Sequence, residues 1–345
     1  MKEARLYRGL DGDVECNLCF RRCRISSGNL GFCQVRKNIG GKLYSMVYGK
    51  IIAEHVDPIE KKPLYHFHPG STSYSIATVG CNYRCSFCCN WEISQEKQIT
   101  GAERTPEQVV AGALQNKTQS ISYTYTEPTI NMEFAFDTAR LANERGLKNT
   151  FVTNGSMTLQ AVDYISHYLD AATVDFKGHA NKEFHVKKMG VPSPDHIFEA
   201  LTQMKKKGVH VEITDLIVPK EGDSESDLRK LARWIVDNLG PDTPFHLLRF
   251  FPNYRMGNGS MTPARSIDRA IEIATEEGLE YTYSGNIPGH EKENTYCPRC
   301  RKLLILRHGF YVSEVNLTPD NRCPGCGNRI PIVGSATISP WMFTS

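Results

Sequence analysis

Cys81, Cys85 and Cys88 stand at C-x3-C-x2-C spacing in the run GCNYRCSFCCNW, directly after an apolar stretch at 74–79. A cubane 4Fe-4S cluster has four iron corners and is ordinarily held by four thiolates, so a loop offering three leaves one iron open to a small molecule. An open iron points to chemistry rather than to electron transfer alone. The alternative is a partial zinc site, but zinc loops pair two knuckles of C-x2-C to C-x4-C spacing at a distance, and these thiols crowd one loop. Cys89 competes with Cys88 for the third position.

The 12 cysteines fall into three groups of four. Near the C-terminus, Cys297 and Cys300 in CPRC and Cys323 and Cys326 in CPGC form two turns that can each aim both sulfurs at one ion. Two such turns complete a closed tetrahedral site, so this segment reads as a zinc ribbon, with a rubredoxin-like iron as the alternative that thiolates also suit. Near the N-terminus, Cys16, Cys19, Cys23 and Cys33 offer four more thiolates. A zinc ion or an accessory iron-sulfur cluster fits them, and the C-x2-C knuckle leans towards zinc. Arg21, Arg22 and Arg24 read as solvated surface.

The elements that position the central loop alternate along the chain. Strand-like runs at 74–79, 120–125, 149–153, 171–176, 210–218 and 244–250 are separated by amphipathic stretches at 106–116, 129–145, 159–169, 195–207, 226–238 and 263–277. Thr105, Pro106 and Gln108 supply a capping signal for the first of these helices. Six strands alternating with helices call for a parallel sheet with right-handed crossovers and a site at the strands' C-terminal ends. A partial barrel or an open doubly wound sheet satisfies that count. Period-two alternation puts Asp175 and Lys177 on one face. Arg249, Asn253 and Tyr254 follow the sixth strand near the same opening, whereas His66 and His68, lacking paired ligands, read as packing or loop residues.

The cysteine loop resembles that of radical S-adenosylmethionine (SAM) enzymes, with the aromatic Phe87 immediately before the third cysteine. The resemblance implies an α/β fold of partial (β/α)6 barrel type, a 4Fe-4S cluster on Cys81, Cys85 and Cys88 that cleaves SAM to a 5'-deoxyadenosyl radical, and an external electron donor. It implies that Glu127, in TYTEPT, accepts from the SAM amino group; an acidic cap for the following helix is the alternative. Thr153-Asn154-Gly155 and Asp175-Phe176-Lys177 are similar to strand-end motifs of pyruvate formate-lyase activating enzymes, which implies cofactor contacts for Thr153 and Asn154 and a Lys177 contact to the SAM carboxylate, balanced by Asp175. A structural ion pair is the alternative for the last two. Val152 stands where those enzymes have aspartate. Taken with DPIEKKPLYHFHPGS, SGNIPGHEKENTYCPRC and the CPGCG end, the whole chain resembles the radical SAM enzyme of the AmmeMemoRadiSam system, although members usually carry glutamine at the position of Cys89.

This reading divides the chain into an N-terminal four-cysteine lobe and lead-in at 1–70, a barrel at 71–290 and a zinc-ribbon lobe at 291–345, the two lobes being candidates for the rim of the opening. At 345 residues, 40% hydrophobic and 23% charged, the composition is that of a globular protein. The N-terminus lacks a signal-peptide core and no apolar run reaches the roughly 18 residues of a membrane span, so a cytoplasmic protein is expected. A net charge of +3 does not argue for nucleic acid. The activating-enzyme resemblance makes a protein or peptide the expected substrate, with tRNA, a small metabolite, or a non-catalytic metal-ribbon binding role as alternatives.

Overall fold

The computed structural model describes residues 1–340, so the last five positions of the expected C-terminal lobe lie outside the described residues. Eight strands build the central sheet: β1 (Ala53–Pro58), β2 (Thr72–Ala77), β3 (Ser120–Tyr123), β4 (Lys148–Thr153), β5 (Ala171–Lys177), β6 (His210–Ile217), β7 (Phe245–Arg249) and β8 (Thr282–Gly285). They lie in sequence order; β2 to β8 are parallel, and β1 is antiparallel at the edge beside β2. Six helices link the parallel strands: α1 (Pro106–Gln115), α2 (Met132–Glu144), α3 (Leu159–Ile165), α4 (Asp195–Lys206), α5 (Glu225–Leu239) and α6 (Ala264–Glu276).

The six expected strands all form. The two additional ones escape pattern reading because AEHVDP in β1 carries charges and a terminal proline, while TYSG in β8 has only 4 residues and ends in glycine. The predicted capping box starts α1: Thr105 Oγ1 accepts from Gln108 N at 3.3 Å, and Gln108 Oε1 accepts from Thr105 N at 2.9 Å. The expected helix at 129–145 instead opens as a 3-10 turn over Pro128–Asn131 before α2 begins.

Strand order that follows sequence order makes every crossover step the same way, and a constant right-handed step puts all the helices on one face. That face is apolar. Ile76, Ile121, Phe151, Val174, Phe176, Ile213, Phe245 and Leu247 alternate outward and join helix residues such as Ala139, Leu201, Ile235 and Ile271 in one buried cluster. Truncating one of its phenylalanines to alanine costs about 3–5 kcal/mol.

The opposite face is buried too, but polar. Ser73, Ser122 and Thr150 are joined by two hydroxyl contacts of 2.6 Å, and Thr173, Glu212 and His246 continue the row across the sheet. A segment over 59–67, following β1, plugs this face. Thr173 donates to the Lys62 carbonyl, Tyr65 N and His66 N donate to Glu212 at 2.9 and 2.7 Å, and His66 Nε2 meets Tyr283 Oη at 2.6 Å. The plug gives buried strand hydroxyls and carboxylates the partners that burial demands.

Candidate functional site

The cysteine loop leaves β2 at its C-terminal end, where the strands present the residues that sequence spacing singled out. Cys81, Cys85 and Cys88 are each half-buried. Tyr83 N points at the Cys81 sulfur from 3.4 Å and Asn154 Nδ2 from 4.0 Å, while Cys88 Sγ lies 3.2 Å from Ser94 Oγ. Desolvation, with the neighbouring Cys88 thiol adding to it, pushes Cys85 up to about 12. The thiol therefore stays protonated until a metal displaces the proton.

On one side of the loop stands Glu127, buried just beyond β3. Its Oε1 accepts from Thr129 N at 3.0 Å and from Thr153 Oγ1 at 2.7 Å, and its Oε2 accepts from Asn154 N at 2.8 Å. Glu127 is thus both the cap of the Pro128–Asn131 turn and the brace of the Thr153-Asn154-Gly155 turn. Burial raises its carboxyl above the usual range despite these donors. One lone pair of Oε2 remains for a further donor.

On the other side, β5 ends in Asp175 and Lys177, which share the inner face as period-two alternation predicts. Lys177 Nζ donates to Asp175 Oδ2 at 3.0 Å, and Thr214 donates to the other carboxylate oxygen. Desolvation disfavours the Lys177 ammonium, but Asp175, Cys85 and Cys89 outweigh it and hold the group above its ordinary value. The chain then turns through Gly178, His179 and Ala180 at φ of 60°, 58° and 57°. A Cβ at Gly178 would lie 2.8 Å from Phe184 Cδ1. Left-handed backbone at two non-glycine residues costs of order 1–2 kcal/mol each. A buried clamp offsets it, with Asp215 accepting from His179 N at 3.1 Å and pairing with the His179 ring.

Several residues at the site carry no sequence signal. Tyr83 donates to the Asn154 carbonyl at 3.2 Å and meets His196 Nε2 at 2.6 Å; Asn82 Oδ1 accepts from Asn154 Nδ2 at 3.0 Å. The His179–Asp215 clamp is likewise visible only in three dimensions. Phe87 sends its ring into an apolar cluster with Phe184 and Phe250, against which Cys81 and Cys85 pack. Cys89 is exposed beside Lys177. At the rim, Tyr254 stacks on Trp91 with centroids 4.9 Å apart, and Arg249 Nε donates to the Thr262 carbonyl at 2.8 Å.

The two outer cysteine sets lie differently. In the C-terminal lobe, Cys297 and Cys326 sulfurs are 3.6 Å apart, Cys300 and Cys323 sulfurs 3.5 Å, and all four fall within 4.8 Å of one another. That spacing fits one tetrahedral ion, whose roughly 2.3 Å bonds imply sulfur separations near 3.8 Å. Strands at Leu303–His308 and Tyr311–Val315 back the site. Arg307 anchors the lobe, donating to the Tyr65 carbonyl at 3.0 Å and to Thr295 Oγ1 at 2.8 Å. The Tyr65 bond ties the lobe to the plug. The N-terminal lobe does reach the loop: Arg21 donates to the Asn82 carbonyl and Arg84 to the Phe32 carbonyl, both at 2.6 Å.

The model of the radical SAM superfamily matches residues 75–235, which hold the cysteine loop, Glu127, Thr153, Asn154, Asp175 and Lys177. An uncharacterised protein of Methanocaldococcus jannaschii is 43% identical over 337 residues, covering 96% of this chain and 100% of that protein. A pyruvate formate-lyase-activating enzyme of Clostridium pasteurianum is 26% identical over 166 residues, 46% of this chain and 67% of that enzyme. Streptococcus suis SuiB bound to S-adenosylmethionine shares the fold at a TM-score of 0.50 and 14% identity, covering 70% of this chain and 56% of that one. Residues 75–235 form a radical SAM domain, and the chain's likeness to the M. jannaschii protein runs the full length of that protein. That domain implies a 4Fe-4S cluster and SAM, and supports SAM cleavage by a radical mechanism. The three soft thiols at the strand ends are a donor set that suits such a cluster. Among the described residues, no helix is long and apolar enough to cross a membrane.

Proposed function

We propose that this chain is a radical SAM enzyme of the AmmeMemoRadiSam type that abstracts hydrogen from a protein or peptide. The observation that carries the reading is the convergence of Cys81, Cys85 and Cys88 between Glu127 and Asn154 on one side and Asp175 and Lys177 on the other. When loaded, the cluster supplies the electron that splits SAM into methionine and the 5'-deoxyadenosyl radical. Around it, Cys81, Cys85 and Cys88 would hold the cluster, Glu127 Oε2 would accept from the SAM amino group, and Lys177 would pair with the SAM carboxylate while Asp175 keeps the ammonium in place. Thr153 and Asn154 orient Glu127 and would contact the cofactor, and Phe87 packs the loop against Phe184 and Phe250. The C-terminal quartet, Cys297, Cys300, Cys323 and Cys326, holds a structural zinc.

The singly wound order of β2 to β8 supports a partial barrel over 71–290, between an N-terminal lobe and lead-in at 1–70 and a ribbon lobe from 291; β1 extends the central sheet from within the lead-in. Because the plug spans the inner face from β1 to β8, substrate enters over the strands' C-terminal ends, past the partly exposed Trp91 and Tyr254. A large aromatic rim suits a polypeptide, and the likeness to an activating enzyme favours the same class. An external one-electron donor completes the reaction, in the cytoplasm. The test is anaerobic reconstitution with deuterated protein extract: deuterium should pass into 5'-deoxyadenosine, and the Cys81→Ala/Cys85→Ala/Cys88→Ala variant should form none. Transfer from small metabolites alone would overturn the polypeptide assignment.

A further inference from the structure

Cys16, Cys19, Cys23 and Cys33 line one cavity together with Arg36 and Asn82. Among the described residues, the C-terminal quartet is the one set of three or more His, Cys, Asp or Glu whose ligand atoms all lie within 4.8 Å of one another. Any three of the N-terminal sulfurs therefore include a pair farther apart than that. The same holds for Cys81, Cys85 and Cys88, the loop that the superfamily uses for a cluster. One chain thus displays two sulfur spacings. The narrow one matches thiolates sharing a single ion, and the wide one is not that of a closed single-ion site.

The cavity also holds an unanswered donor. Arg36 is 1% exposed, and its terminal nitrogens form a two-pronged pair with Glu133 at 2.9 and 2.7 Å, yet its Nε has no partner. A buried N–H without an acceptor is unfavourable, and the sulfides and thiolates of a cluster are acceptors.

The position of the quartet is as telling as its spacing. Asn82, which follows Cys81, lines the same cavity as Cys19. The Cys33 carbonyl packs against Gly80, where a Cβ would lie 3.0 Å away, and Gly80 adopts φ of 94°. Phe20 N donates to the Ser156 carbonyl at 3.0 Å, beside the Thr153-Asn154-Gly155 turn. Single residues therefore bridge the quartet and the loop, unlike the C-terminal quartet, which is anchored to the plug.

We propose that the N-terminal quartet holds an iron-sulfur cluster and is the electron entry point for the site at Cys81, Cys85 and Cys88. One electron arrives from a low-potential one-electron protein donor, is held on the N-terminal cluster, and leaves for the cluster on the central loop, where SAM cleavage consumes it. The quartet ends each cycle in its starting state. Zinc, being redox-inactive, would not serve. The inference rests on the radical SAM reading of the loop for its destination, but its metal content does not.

The test uses the full chain carrying Cys81→Ala, Cys85→Ala and Cys88→Ala, reconstituted anaerobically and analysed for iron, zinc and acid-labile sulfide. Iron with stoichiometric labile sulfide should remain, giving a reduced-state EPR signal that SAM does not alter. Zinc at the quartet with no labile sulfide would overturn the proposal, whatever the SAM-cleavage result. For the relay, freeze-quench EPR on the wild-type protein reduced by flavodoxin hydroquinone should show the signal retained by that variant before the SAM-sensitive one. Appearance of the SAM-sensitive signal first would overturn the entry role.

Discussion

Replacing Glu127 by alanine should damage the fold and cofactor binding together. The carboxylate accepts from Thr129 N and Asn154 N at 3.0 and 2.8 Å and from the hydroxyls of Thr129 and Thr153. The hydroxyls can rotate towards other acceptors. The two backbone N–H groups cannot, since Pro128–Asn131 and the turn after β4 hold them in place. Leaving a buried donor unsatisfied costs about 1–3 kcal/mol, so the two together amount to roughly 2–6 kcal/mol. Removing a carboxylate whose own burial is unfavourable returns part of this, and a net loss of about 2 kcal/mol or more is expected. Denaturant unfolding of the metal-loaded protein measures it, and calorimetric titration with SAM measures the second effect. Loss of a charge-assisted contact of about 1.5–3 kcal/mol weakens SAM binding by about 10- to 150-fold. Stability within about 0.5 kcal/mol of wild type would refute the brace; unchanged SAM affinity in a folded variant would leave Glu127 a purely structural cap.

Lys177→Met should weaken SAM binding at least about tenfold while the cluster absorbance persists, because Lys177 meets no cysteine as a ligand; equal affinity would return the Asp175–Lys177 pair to a structural role. Removing metal from the C-terminal quartet with a chelator should lower the melting temperature of the whole chain and leave the rate of SAM cleavage at low temperature unchanged, since Arg307 anchors that lobe to the plug and not to the loop. Burial pushes Glu60 up to about 7, with Arg307 opposing. A carboxyl raised on folding contributes stability that is present below about 4.5 and lost as pH rises to about 7, so Glu60→Gln should gain on wild type by up to about 3 kcal/mol across that window. Unfolding free energies at pH 5 and pH 8 that keep a constant gap between the two proteins would exclude this.

The chemistry was legible in the sequence because it depends on residue type at short spacing. Three thiols in one loop, an Asp and a Lys two apart on a strand, and two CPxC turns each declare themselves within a few residues, and local periodicity carried the six strands and the α1 capping box. Asp175 and Lys177 could be assigned to one face because a strand's side chains alternate by geometry alone. What tertiary structure decided is everything that depends on which distant segments meet. The plug over 59–67 has no periodicity, and its purpose appears only when Glu212, Thr173 and Tyr283 supply its partners. His179 and Asp215 belong to different segments, the turn after β5 and strand β6, so their clamp has no local signature. The sulfur spacing of the N-terminal quartet also eluded the sequence, since C-x2-C-x3-C fixes how many thiolates are offered and not how far apart the folded loops hold them. Only the packing of Cys19 on Asn82 and of Cys33 on Gly80, across two segments remote in sequence, sets that quartet against the loop.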